Sequence, residues 1–212
     1  MVPANLLHEQ DAFARWHELW QEQPEKVAQR LHQRLELLPA HWRRAILAHV
    51  PSLEALVAST ASAVGPFAGI PFMVKDLFDM AGIPTLAGAT FLDQVRKTPE
   101  STSPLVEKLA GLGMIYAGKT QLNEFAFGAS GENPHYGDCE HPRIPGALTG
   151  GSSSASAWGV ATGMVPFALG TDTAGSVRIP AAFCGLYGLK LLPDAWAHDR
   201  VFPLSPSFDT AG

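Results

Sequence analysis

The chain is poor in the features that mark several large protein classes. Two cysteines, Cys139 and Cys184, stand among 212 residues. That is too few for a disulfide framework, so a reducing compartment and a cytoplasmic location are expected. Basic runs are missing, and 15 Lys plus Arg face 20 Asp plus Glu. Without a cationic stripe to track phosphates, nucleic acid is not an expected partner. No apolar run approaches the roughly 20 residues that span a bilayer. The opening MVPANLLHEQDAF lacks a basic stretch followed by an apolar core. Neither a membrane partner nor a secretory signal is therefore expected. Also missing are a G-x-S-x-G elbow, an S-x-x-K motif and any histidine in a glycine turn, although the chain has eight His.

What is present is apolar and rich in turns. Hydrophobic residues make up 46% and charged residues 17%, with 20 Gly and 17 Pro. A substantial core with that many breakers favours a loop-rich α/β protein over a helical bundle. Residues 1 to about 60 read as helices. Leu6, Phe13, Trp16 and Trp20 fall near helical spacing, and Val27, Leu31, Leu35 and Leu38 repeat it. Pro39 closes that pattern, and Trp42, Ile46 and Val50 open another before Pro51.

The texture changes at Gly65-Pro66. The spacing predicts a buried strand over 70–74 ending at Lys75-Asp76, a helix over 104–112 and a strand over 114–117. A further helix is predicted after Ser153, with Ala157, Val160 and Ala161 facing the core, and then a strand over 165–169. Alternating strands and helices imply a sheet with helices packed on it. Residues 128–151 read as loop.

Gly113 to Thr120 matches the P-loop pattern G-x-x-x-x-G-K-[ST]. A P-loop needs a strand before the first glycine and a flexible loop after it, so that backbone N–H groups can cradle phosphate. Here a helix comes first and the residues between the glycines are strand-like. A strand ending in Gly-Lys-Thr is the better reading, and nucleotide binding is only a third possibility for the chain's function.

Two serines sit in glycine turns. Ser152 follows Gly150-Gly151, and Ser176 follows Thr173-Ala174-Gly175. A serine hydroxyl needs a base to become a nucleophile. Lys75, at the end of an apolar strand, is the candidate base, because burial lowers a lysine's pKa toward neutrality. A second serine can then relay the proton. Small residues at a turn also expose successive backbone N–H groups that can hold an oxyanion.

The run from Gly150 to Lys190 closely resembles the signature of the amidase signature family of hydrolases. GIPFMVKDLFDMAGIPTLAG (69–88), AGKTQLNEFAFG (117–128) and VFPLSPSFDTAG (201–212) resemble that family's flanking blocks. The resemblance implies a mixed β-sheet flanked by helices, with residues 1–64 as an N-terminal helical segment and 65–212 as a partial amidase signature domain.

It implies an amidase-type hydrolase that cleaves a C–N amide bond to carboxylate and ammonia or amine, with a small-molecule amide as substrate and no cofactor or metal. Ser176 takes the role of acyl-forming nucleophile. Ser152 is the bridging serine, held by a cis peptide from Gly151, and Lys75 is the base. The N–H groups of Thr173, Ala174, Gly175 and Ser176 form the oxyanion hole. Asp172 and Arg178 fix the turn. Ser153 and Ser154 cap the following helix, with Ser153 also bonding near the triad. Cys184 is a packed thiol. Gln121, Phe125 and Phe127 are candidates for the pocket wall or for core packing.

Ala174 and Ala155 stand where many members have glycine, and His141-Pro142 and Leu191-Leu192-Pro193 also depart from the pattern. None of these removes a catalytic group. The family's domain is about twice this length, so the fold is expected to be incomplete at the C-terminus. The partner is then the missing C-terminal half or a second copy in a homo-oligomer. A severed sheet exposes an unpaired edge, so the isolated chain is expected to be unstable or to need complementing. The alternative function is a truncated or non-catalytic amidase-like fragment, or an interaction subunit.

Overall fold

A computed structural model describes residues 13–193, 195 and 199–212. Helix α1 (Phe13–Glu22) and helix α2 (Pro24–Glu36) follow the expected spacing. Pro24 starts α2, where a missing N–H costs nothing. Trp16, Val27, Leu31 and Leu35 face inward. Leu6, expected in the same pattern, lies outside the described residues.

Helix α3 (Ala40–Ile46) runs straight into strand β1 (Leu47–His49). This corrects the reading that residues to Val50 continue a helix. The sheet captures the chain here: Leu47 turns extended (φ −111°, ψ 119°) and Gln121 N–H donates to Ile46 O at 2.9 Å. Tertiary pairing overrides a weak local preference. Helix α4 (Leu53–Ser62) is capped by Ser52, whose hydroxyl accepts from Ala55 N at 3.2 Å. The indole of Trp20 donates to Thr60 O at 3.0 Å and ties α1 to α4.

Next come strand β2 (Pro71–Lys75), the short helix α5 (Leu92–Val95), helix α6 (Pro104–Gly111) and strand β3 (Ile115–Thr120). The expected strand over 114–117 therefore extends through Gly118-Lys119-Thr120, because neighbours on both sides satisfy its backbone. Helix α7 (Ser154–Ala161) and strand β4 (Phe167–Leu169) follow. Helix α8 (Arg178–Cys184) was not anticipated. Residues 128–151 are irregular, apart from their part in a bridge between Glu140 and Leu148.

The sheet order is β1-β3-β2-β4. β2 pairs in parallel with β3 and β4, and β1 closes the far side antiparallel to β3. The mixed sheet flanked by helices agrees with the expected fold class. Lys75 pairs with Thr120, and Val74 with Leu169, so the carboxyl ends of three parallel strands meet. Helix α7 covers one face of this edge. The hydroxyls of Ser156 and Thr120 lie 2.8 Å apart, and Ser156 donates on to Leu169 O at 3.0 Å. Close approach explains Gly159: a Cβ there would lie 2.9 Å from the Met73 sulfur.

The main core joins both regions of the chain, from Trp16, Leu31 and Ile46 to Phe72, Trp158 and Val165. Trp42 and Trp158 pack with ring centroids 5.4 Å apart. Among the described residues, β4 pairs on one side only. An apolar groove of about 400 Å³ lies along this part of the fold, lined by Leu109, Leu112, Val160, Phe167, Tyr187 and Leu189.

Trp158, on α7, is fully buried and packs against Trp42 of α3. Trp158→Ala should lower unfolding free energy by about 3–5 kcal/mol through lost burial and a residual cavity. Chemical denaturation checks this, and an unchanged midpoint would show that the two indoles do not join the layers.

Candidate active site

The strand ends place the candidate residues. Lys75 terminates β2 and is wholly buried. Its Nζ donates to Ser152 Oγ and Thr171 Oγ1, each at 2.8 Å. No carboxylate touches it among the described residues. Burial pushes its pKa down to about 7, against the pull of Asp172 and Asp209.

Ser152 lies between Gly151 and α7, also wholly buried, and its bond from Gly151 is cis, as the resemblance implied. Gly151 admits no side chain, because a Cβ would lie 2.1 Å from Asn123 Oδ1. Asn123 also accepts from Gly131 N at 3.2 Å and donates to Glu132 O at 2.9 Å. Asn133 donates to Gly88 O and Leu122 O. These two amides hold the long loop against the site.

Ser153 stands at the N-cap of α7, but its hydroxyl makes no cap bond. This corrects the capping expectation for Ser153. The hydroxyl instead donates to Thr171 O at 3.2 Å and accepts from Thr171 N at 3.3 Å. It thereby fixes the residue whose own hydroxyl meets Lys75. The Ser153 N–H donates to Ser176 O at 3.0 Å, which brings the two serine turns together. Among the described residues, no hydrogen bond joins the hydroxyls of Ser152 and Ser176. Ser176 is half-buried, whereas Ser152 is sealed.

Asp172 organises the second turn. Its carboxylate accepts from Gly175 N at 2.8 Å, Val177 N at 3.2 Å and Arg178 N at 3.3 Å. Arg178 adds a two-pronged contact, with both bonds at 3.0 Å. Lys190 Nζ lies 3.7 Å from the same carboxylate. Burial opposes the charge on Asp172, but Arg178 and the three N–H groups win and bring its pKa down to about 2.

One expected oxyanion donor is therefore already engaged. Gly175 N–H points to Asp172 Oδ1, while the N–H groups of Thr173, Ala174 and Ser176 donate to no group among the described residues. Gly175 carries the positive φ of +134°, and Ala174 does not, so the alanine fits without strain.

The remaining sequence candidates divide. Gln121 is buried, with its Oε1 unbonded among the described residues. Phe125 packs against Phe91 and Phe202. Phe127 is exposed and shares an open cleft of about 620 Å³ with Phe125 and Leu204. Cys184 is buried and its thiol is pushed up to about 11, so it is no nucleophile. The lysine of the P-loop match is buried: Lys119 pairs with Asp76 instead of facing solvent.

Sequence reasoning did not single out Thr171, Asn123 or Asp209. Each lies within one of the blocks that carry the family resemblance, but only the folded contacts separate them from their neighbours.

The family model described as Amidase matches residues 25–212. Amidase 1 of Oryza sativa subsp. japonica is 42% identical over 147 residues, which is 69% of this chain and 34% of that protein. The indoleacetamide hydrolase of Pseudomonas savastanoi is 39% identical over 147 residues, 69% of this chain and 32% of that one. The native peptide amidase of Stenotrophomonas maltophilia superimposes with a TM-score of 0.85 at 28% identity, over 98% of this chain and 45% of that one. The chain thus spans about a third of the length of the curated relatives it matches.

The Asp172 carboxylate sets a pH dependence of stability. Its pKa is depressed on folding, so its contribution is full above the unfolded value of about 4 and fades as pH falls toward 2. Asp172→Asn should therefore be less stable than wild type at pH 7, with the gap closing between pH 4 and 2. Urea midpoints across that range decide it, and a constant gap would refute the charge argument.

Proposed function

This chain belongs to the Amidase family, and on that premise we propose that it carries the catalytic centre of a serine hydrolase cleaving a C–N amide bond. The observation that supports this most is the buried Lys75 amine, held on Ser152 Oγ at 2.8 Å and brought near neutrality by burial. At pH 7 a substantial fraction of Lys75 is the free base that proton transfer needs.

In the proposed course, Ser176 Oγ attacks the amide carbonyl carbon. Its proton passes to Ser152, whose own proton passes to Lys75. The carbonyl oxygen gains the negative charge, and the free N–H groups of the Thr173–Ser176 turn receive it. As the C–N bond breaks, the proton returns through Ser152 to the leaving nitrogen, releasing ammonia or an amine. Water then enters by the same proton path, cleaves the acyl-enzyme ester and frees the carboxylate. The half-buried position of Ser176 suits the nucleophile, and the sealed position of Ser152 suits the relay. The missing bond between the two hydroxyls is compatible with this, since catalytic hydrogen bonds often tighten only when substrate binds.

The proposed substrate is a small-molecule amide entering the cleft beside Phe125 and Phe127. The one-sided pairing of β4 is the proposed docking edge for further protein, either the remaining portion of a longer polypeptide or a second copy. Two buried free thiols suit the cytoplasm.

A fluorophosphonate probe followed by peptide mapping tests the assignment. Wild type should be labelled on Ser176, and Ser176→Ala should not be labelled at all. Lys75→Ala should slow labelling by on the order of 10²- to 10⁴-fold. Lys75 must be neutral to act, so kcat/KM should climb with pH through about 7 and then level off. Labelling elsewhere, or an unchanged rate in Lys75→Ala, would overturn the assignment.

A further inference from the structure

We infer that Asp209 is a positioning residue for this reaction: its carboxylate clamps the turn bearing Ser176 to the 203–206 loop that walls the cleft. The inference rests on the amidase proposal above.

One carboxylate serves two segments. Asp209 Oδ1 accepts from the hydroxyl of Thr173, the first residue of the turn. Its Oδ2 accepts from Leu204 N and Ser205 N, each at 2.9 Å. Hydrogen bonds to an ionised acceptor are about twice as strong as neutral ones and are directional, so the carboxylate fixes distance and orientation together.

The surrounding backbone secures the clamp. Asp172 N donates to Thr210 O at 2.8 Å, and Thr210 Oγ1 donates to Asp172 O at 3.2 Å. Lys190 Nζ bonds to both Asp172 O and Phe208 O. A movement of the 204–209 segment is therefore transmitted to the Thr173 end of the turn.

Leu204 gives the clamp its consequence. It lines the open cleft with Phe125 and Phe127, and also a smaller cavity of about 150 Å³ with Leu77, Phe78 and Thr171. Thr171 is the residue whose hydroxyl meets Lys75. Asp209 thus sets one wall shared by the space beside the base and the space beside the proposed entrance.

Its charge acts in the same direction. Asp209 and Asp172 are the two anions that support the charged form of Lys75 against burial. Asp172 is already paired with Arg178 and lies close to Lys190. Asp76, next to Lys75 in sequence, and Lys119, next to its partner Thr120 on β3, form their own pair.

Asp209→Asn in the polypeptide carrying this sequence is the test. The amide keeps the size, loses the charge and cannot accept with its nitrogen. We expect kcat to fall on the order of tenfold or more and the acid limb of kcat/KM to move to lower pH. Amide exchange at Leu204 and Ser205 should quicken, while Asp209→Glu should recover part of kcat. A folded Asp209→Asn protein with unchanged kcat and an unshifted acid limb overturns the positioning role. A wild type that shows neither turnover nor Ser176 labelling removes the amidase reading, and the positioning role falls with it. Amide exchange remains decisive for the clamp in either case: unchanged rates at Leu204 and Ser205 show that it does not exist.

Discussion

A buried lysine amine, held on two hydroxyls and in contact with no carboxylate among the described residues, is the constraint on which the rest of this structure depends. An ammonium in that position carries a large desolvation cost, so the surroundings must either supply a counter-charge or favour the neutral amine. The strand pair β2–β3 does both, with two different lysines. Lys119 receives the Asp76 carboxylate directly and is held as an ion pair. Lys75 receives two hydroxyls instead, and its anions stand beyond contact. Burial lowers the pKa of both lysines, but in neighbouring registers one is held on a carboxylate and the other on two hydroxyls.

Keeping Lys75 in this state requires rigid surroundings. The parallel strands bring Lys75, Thr120 and Leu169 to one edge, where the ends of the sheet leave room for a site. Ser153 holds Thr171, and the glycine at 151 lets Asn123 approach the backbone before Ser152. Asp172 draws in the second turn through backbone N–H groups and Arg178. Thr171 is therefore held by two further bonds, and the residues on either side of Ser152 are bonded through their backbone N–H groups, the support that a preorganised polar site needs to keep its geometry.

Much of the fold could be read from local pattern. The helix over α2 was visible because Val27, Leu31 and Leu35 repeat at helical spacing, and β2 because its apolar run ends abruptly at Lys75-Asp76. Strand β1 was hidden because Leu47–His49 continues a helical-looking sequence and becomes extended only by pairing with β3. The hydroxyl of Ser153 was misread for a similar reason. A serine before a helix usually caps it, but here the Thr171 backbone competes for the same hydroxyl and wins. At the site, Lys75, Ser152 and Ser176 could be picked out by residue type and by their glycine turns. Thr171, Asn123 and Asp209 could not, since each role needs a partner at least 8 positions away, and as many as 96 for Thr171.

By itself, the sequence determined the residue types in the site, the turns that carry them and the family to which the chain belongs. These depend on side-chain chemistry and short-range backbone preference, which neighbouring residues suffice to specify. Only the tertiary structure decided which lysine is paired and which is not, that Gly175 N–H is taken by Asp172, and that Asp209 spans two segments. Those outcomes depend on burial and on partners distant in sequence. The desolvation that gives Lys75 its character exists only once the strands and loops have closed around it.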